Sequence, residues 1–273
     1  MKLNLFTLKL LSALFMAVDH IGALFFPDQL MFRYIGRLAF PIFCYLIANG
    51  LFYTRSKIKY LARLLGFALL SQFPFTMMMR IANHHLPFTL DSGGSIFSSP
   101  SIFFAVTTQT LNALFTLFFG LLALILLDWI QAFFARRGQK AVGIVLGLLP
   151  AAGMTAVCML LSCEFELLGI PLMVAFYGAS RQHGNACQGP SCRLMPWLLP
   201  LCAILATTVI RSSQAVNPMQ QWIYGCYQGL ALIPIGLYHG DPGPKNKIIQ
   251  YSFYAFYPVH IAILVGIYWM LYV

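Results

Sequence analysis

Charge is what this sequence has least of. Only 9% of its 273 residues are Asp, Glu, Lys or Arg, against about 25% in a soluble domain. Acidic residues are scarcer still, seven against 17 Lys and Arg. That shortage excludes a water-soluble fold, and a 60% hydrophobic share with a mean hydropathy of +0.78 says the same. The seven cysteines are an odd count, and Cys44, Cys158, Cys202 and Cys226 fall in apolar runs. This excludes a secreted disulfide framework. There is no duplication of interrupted apolar segments, the mark of many transporters. No small-x-small cleavage site follows the first apolar run, so the signal-peptide reading is set aside.

What is there is a succession of apolar runs. They predict a single all-α, polytopic membrane domain over residues 1–273, because only helices satisfy their own backbone groups in lipid. Nine spans are expected, roughly at 5–26, 36–54, 60–80, 102–127, 141–162, 165–180, 195–210, 219–238 and 249–272. Two of them, 165–180 and 195–210, are short for an upright crossing. The net charge of +10 does not indicate nucleic acid, since the basic residues sit between apolar runs. With the N-terminus inside, 13 of the 17 basic residues fall on the inner side, and Arg33, Arg37, Arg80 and Arg211 remain outside. The positive-inside rule then predicts N-terminus in and C-terminus out.

The first run, KLLSALFMAVDHIGALFF, carries Asp19 and His20 deep inside it. A charged side chain at a helix centre in lipid costs about 2.5–3.5 kcal/mol, so such residues face a bundle interior or a watery cavity. Lys9 lies eleven positions before His20. That is nearly three whole turns, which puts both on one face about 16 Å apart along the axis. A second histidine, His260, stands at mid-membrane depth in the last run, among Tyr254, Tyr257 and Pro258. One buried histidine is ordinarily a packing residue; two with an Asp point to a polar reaction chamber.

Other polar groups carry open readings. Arg37 opens the second span, where it is free to pair with Asp19, contact a substrate carboxylate or snorkel to the headgroups. RSKIKYLAR, from Arg55 to Arg63, reads both as a topology signal attracting anionic lipid and as a phosphate platform beside Lys9. Gln72 is a polar group well into the third span and a candidate for interhelical bonding, as are Thr107, Thr108, Gln109 and Asn112 in the fourth. The Gly- and Ser-rich loop 81–101 is a candidate lid or acceptor-docking segment. Glu164 and Glu166 read as a solvated outer turn rather than an acid–base pair. His183, Cys187 and Cys192 are three ligands where a structural zinc site needs four, and His84 and His85 are adjacent, so no metal is expected.

Three segments resemble the TraX family, inner-membrane acetylases of the N-terminus of conjugative F-type pilin, a family similar to bacterial fimbrial assembly proteins. They are Lys9 through Asp19-His20; GRLAFPIF from Gly36 to Phe43, continuing to Asn49, Arg55, Arg63 and Gln72; and FYAFYPVH ending at His260. The match covers about residues 9–75 and 248–264, with only hydropathy alike between them. The outer turn EFELLG departs from it, where the family pattern runs nearer to D-Y-G. The spacing from Lys9 to His20 also resembles the first-helix motif of acyltransferase-3 membrane enzymes.

The resemblance implies acetyl-CoA as donor, a pilin or fimbrial subunit as acceptor and a bacterial inner-membrane location among lipids. An amine or hydroxyl attacking a thioester needs a base titrating near neutral pH; His20 meets that requirement, and sequence alone does not choose between it and His260 as the base. Asp19 is free to orient His260 or to bind Arg37. His260, Tyr257 or Gln72 are candidate donors to the carbonyl oxygen as charge develops. Lys9, Arg55, Lys57 and Arg63 are the candidates for the CoA phosphates. The competing readings are glycan O-acetylation, proton-coupled transport with Asp19, His20 and His260 as a relay, and a non-enzymatic pilus-assembly factor, which needs no buried histidine.

Overall fold

The computed structural model describes residues 3–83, 85–90, 93–184, 190–238, 240–241, 243–244 and 246–272. The described part is helical, with isolated β-bridges and no extended strand. The helices are α1 (Leu5–Phe25), α2 (Leu30–Gly36), α3 (Ala39–Tyr53), α4 (Lys57–Ala82), α5 (Pro100–Thr107), α6 (Ala113–Arg136) and α7 (Lys140–Gly147). They continue with α8 (Leu149–Leu160), α9 (Glu166–Gly184), α10 (Pro190–Gln214), α11 (Pro218–Leu230), α12 (Leu232–Gly236) and α13 (Lys247–Tyr272). Among the described residues six stretches are long and apolar enough to cross a membrane: Leu5–Phe25, Leu30–Tyr53, Lys57–Ala82, Ala113–Arg136, Lys140–Leu160 and Tyr251–Tyr272. The protein is a multi-pass membrane protein.

Short polar side chains set many of the helix starts. Asn4 accepts from the Thr7 amide, Ser56 from Lys59, Ser99 from Ile102, Asn112 from Leu114 and Asn217 from Gln220. Each such cap contributes about 1 kcal/mol and satisfies an amide that has no partner inside the helix. Pro100 and Pro218 follow their caps at the first helical position, where a missing amide hydrogen costs nothing.

The largest departure from the sequence expectation is at the fourth span. The expected helix over 102–127 is two elements, because the chain breaks between Thr107 and Asn112 and the long helix runs on to Arg136. Gln72 on α4 causes the break to hold. Its Nε2 donates to the Thr107 carbonyl at 2.7 Å and the Thr110 carbonyl at 2.8 Å, and its Oε1 accepts from the Asn112 amide and side chain. The polar residues 107–112 thus end one helix and cap the next. The expected short spans 165–180 and 195–210 belong to longer helices, of 19 and 25 residues. The side chains of His183, Cys187 and Cys192, and His84, lie outside the described residues. No cluster of metal ligands occurs among the described residues.

α1 packs against α2, α3, α4 and α13, so the first and last helices touch. Close approach of α2 depends on Gly36, where an added Cβ would lie 2.2 Å from the Asp19 Cβ. α3 packs on α9 and α6, and α4 on α13 and α6. The turn between α8 and α9 is pinned to the break before α6. Leu111 donates to the Ser162 carbonyl and accepts from the Glu164 amide, and the Thr116 hydroxyl donates to the Glu164 carbonyl. Ser162 and Phe165 flank this turn in left-handed backbone conformations, φ 49° and 59°, which non-glycine residues adopt only where surroundings hold them.

Candidate functional site

Between α1, α3, α4, α6 and α13 the bundle encloses a cavity of about 540 Å³. Lys9, Tyr53, Tyr60, Arg63, Phe253 and Tyr254 line one end; Asp19, His20, Gly36, Ala113, Glu164 and Tyr257 line the other. The same helix faces that carry apolar packing residues therefore carry a polar lining, which the near-three-turn spacing of Lys9 and His20 anticipates.

The centre of the polar end is a histidine pair. His20 Nδ1 lies 2.8 Å from His260 Nε2, and His260 Nδ1 lies 2.6 Å from the Phe256 carbonyl. A carbonyl only accepts, so His260 Nδ1 carries its proton. Neutral His260 then presents Nε2 as an acceptor, and His20 Nδ1 must be the donor to it. This fixes the tautomer of His20 with Nε2 unprotonated, the form a proton acceptor requires. His20 lines the cavity, whereas His260 stands behind it. The two rings are nearly parallel, 4° between planes, and the Tyr257 ring meets both edge-on.

Asp19 Oδ2 pairs with Arg33 at 2.7 Å. Arg33, an outer-loop charge by sequence, thus takes the carboxylate that Arg37 was a candidate to pair with. Arg37 instead lies over the rings of Tyr224, 4.5 Å from its centroid, and Phe165, 5.5 Å. Asp19 Oδ1 and the Tyr257 hydroxyl are buried and make no hydrogen bond among the described residues, though both residues line the cavity. Buried polar atoms left so cost about 1–3 kcal/mol each, and a chamber ligand would satisfy them.

At the other end Lys9 and Arg63 line the cavity without a carboxylate partner among the described residues. The Lys9 ammonium lies 5.8 Å from the Phe253 ring centroid. The Arg63 guanidinium lies 5.9 Å from those of Tyr60 and Tyr254, and its buried Nε makes no hydrogen bond among the described residues. Unpaired cations over aromatic faces suit a phosphorylated ligand with planar groups. The other two basic candidates lie elsewhere. Lys57 is held by Asp128 at 2.6 Å, beside Tyr177 at 2.7 Å from the same carboxylate, and Arg55 is exposed. Gln72 is occupied at the α5–α6 junction and does not line the cavity.

Glu164 is the residue sequence reasoning missed. It is half-buried on the cavity wall rather than solvated. Burial pushes its carboxyl up to about 7; Arg37 opposes the rise, Asp19 adds to it, and Arg33 and the Ala113 amide oppose it. The available signal was two carboxylates in a chain that has only seven, both at one turn. The described residues of loop 81–101 do not line the cavity; Phe88 packs on Trp269 and Ile96 is fully buried.

The sequence profile of the TraX family, described as TraX protein, matches residues 4–268. The chain is 29% identical over 271 residues to a protein of Dichelobacter nodosus named "Probable fimbrial assembly protein FimC, serogroup H1", covering 95% of this chain and 93% of the relative. It is also 40% identical over 52 residues to "Uncharacterized protein RP591" of Rickettsia prowazekii (strain Madrid E), a stretch covering 19% of this chain and 21% of the relative. No solved structure matches the chain.

Proposed function

The chain belongs to the TraX family, and from that premise we propose that it is an acetyltransferase of the bacterial inner membrane. It moves an acetyl group from cytoplasmic acetyl-CoA to an acceptor on the outer side, the N-terminus of a pilin or fimbrial subunit. The observation that carries the reading is His20 on the wall of a cavity that ends at Lys9 and Arg63, backed by its hydrogen bond to His260 behind the wall.

In this reading the CoA phosphates pair with Lys9 and Arg63, as charge-assisted hydrogen bonds to phosphate allow. The thioester end then extends towards His20. The acceptor nitrogen attacks the acetyl carbonyl carbon, the C–N bond forms and the C–S bond breaks. His20 Nε2 takes the proton from the attacking nitrogen and returns it to the departing thiolate. His260 holds the tautomer and shares the charge of the resulting imidazolium. The Tyr257 hydroxyl, which makes no hydrogen bond among the described residues, donates to the carbonyl oxygen as negative charge grows there. The fimbrial assembly name of the Dichelobacter nodosus relative supports a pilin-like acceptor. Nine passes with the N-terminus inside bring the basic end of the cavity to the cytoplasmic face.

The test is to incubate membranes with and without the protein with labelled acetyl-CoA and to follow the label into protein and glycan fractions. The expected result is label in a pilin-like protein only when this protein is present. Equal labelling in both membranes contradicts the reading.

A further inference from the structure

Acetylating an amine needs two protons removed from the acceptor, because at neutral pH an α-amino group with a pKa of about 7.7–8.0 is mostly ammonium. His20 has one lone pair available, on Nε2, so it accepts one proton. The cavity wall holds a second group suited to the other. Glu164 is on the same wall, on a turn fixed by the Leu111 bridge and by the left-handed Ser162 and Phe165. It has no ion-pair partner within 4 Å among the described residues. Its neighbours are Asp19 on α1, Arg33 on α2, Arg37 after it, Arg211 on α10 and Tyr257 on α13, with the Ala113 amide at the start of α6. Asp19 and Tyr257 line the same cavity, and the buried Asp19 Oδ1 and Tyr257 hydroxyl have no hydrogen-bond partner among the described residues.

We propose that Glu164 is a second proton acceptor of this chamber, taking the first proton of an ammonium acceptor so that a neutral amine meets the acetyl group beside His20. The inference rests on the acetyl-transfer reading and adds to it a division of labour. The protons balance as follows. R–NH3+ gives one proton to the Glu164 carboxylate and becomes R–NH2. The amine attacks, C–N forms, C–S breaks, and the second proton passes through His20 Nε2 to the thiolate, leaving CoA–SH. Glu164 then releases its proton to water. The Asp19 Oδ1 atom accepts a hydrogen bond from the incoming ammonium. A carboxyl that burial pushes up to about 7 both takes and releases that proton near neutrality.

Permeabilised membranes containing the wild-type chain, Glu164→Gln, Glu164→Asp or His20→Ala are supplied with labelled acetyl-CoA at pH 6.5 to 8.5. The macromolecular label is treated with alkaline hydroxylamine, which cleaves esters and spares amides. The expected label is amide. Glu164→Gln is expected to be slower by roughly twentyfold at pH 6.5, the factor by which an amine of pKa about 7.8 is protonated there. It should come within about twofold of wild type at pH 8.5, where the amine deprotonates unaided. Glu164→Asp keeps the wild-type profile at reduced rate, and the His20→Ala deficit persists at every pH. A Glu164→Gln deficit that is the same at all pH values, or no deficit, overturns the proposal. Ester label overturns it while leaving acetyl transfer standing. No label with the wild-type chain removes the acetyl-transfer reading itself and this one with it.

Discussion

His260 matters through the proton it forces His20 to carry. Because His260 Nδ1 is committed to the Phe256 carbonyl, only one orientation of the hydrogen bond between the rings is available. His260→Leu removes the acceptor for His20 Nδ1–H and frees both the tautomer and the ring. Acetyl transfer per folded molecule should fall by about tenfold to a hundredfold, less than the about 10²–10⁴ lost with the base itself. His260→Gln retains an acceptor at similar reach and should recover part of that loss. Equal activity in the Leu and Gln variants would contradict a positioning role. At the other end of the cavity, Lys9→Ala and Arg63→Ala should raise the acetyl-CoA concentration needed for half-maximal rate and leave the maximal rate near wild type. Unchanged acetyl-CoA dependence in both would make them topology residues only. His20, Asp19 and His260 were legible in the sequence because lipid makes any polar residue at depth conspicuous. The pairing of Asp19 was not, since Arg33 and Arg37 stand one helical turn apart and spacing does not choose between them. Glu164 was not legible either, because a turn between two apolar runs reads as solvated until its neighbours are known.

Helix existence followed from hydropathy, and helix ends did not. The apolar run from Pro100 onward contains no Gly or Pro before Gly120, so nothing local marks the break at residues 108–112. The break is tertiary, held by one amide on another helix: Gln72 satisfies two carbonyls and an amide that leave the helical ladder there. Gln72→Leu should therefore strand those groups in the bundle. With about 1–3 kcal/mol for each buried group left unpaired, the variant should show a lowered melting temperature in detergent. Its activity per folded molecule should stay within a few-fold of wild type, because Gln72 does not line the cavity. Normal stability with lost transfer would place Gln72 in the chemistry instead. The second span, expected over 36–54, is α3, and the short α2 ends at Gly36 just before it. Gly36 lets the end of α2 lie against Asp19, and the sequence shows the glycine but not what approaches it.

For the whole molecule, the chain was recognisable as a helical membrane bundle from composition alone. A shortage of charge cannot be reconciled with water, and the recurrence of apolar runs leaves helices as the spanning element. The number of crossings is a finer matter, because α11 and α12 break within one apolar run and residues 185–189, between α9 and α10, lie outside the described residues. The basic-residue bias makes a direct forecast: reporter fusions should place residues 55–63 and 181–193 inside, and the loop 81–101 and the C-terminus outside. An internal C-terminus would remove the nine-pass arrangement.

The measurement that bears most directly on the central claim is acetyl transfer by His20→Ala, expressed per folded, membrane-inserted molecule. Replacing an imidazole by a methyl removes a polar group from the span, so insertion should be at least as good as wild type. The account predicts normal accumulation with transfer reduced by about 10²–10⁴. If His20 is instead a packing residue, the variant accumulates poorly and the molecules that remain transfer acetyl at the wild-type rate. Normal specific activity in His20→Ala would contradict the account.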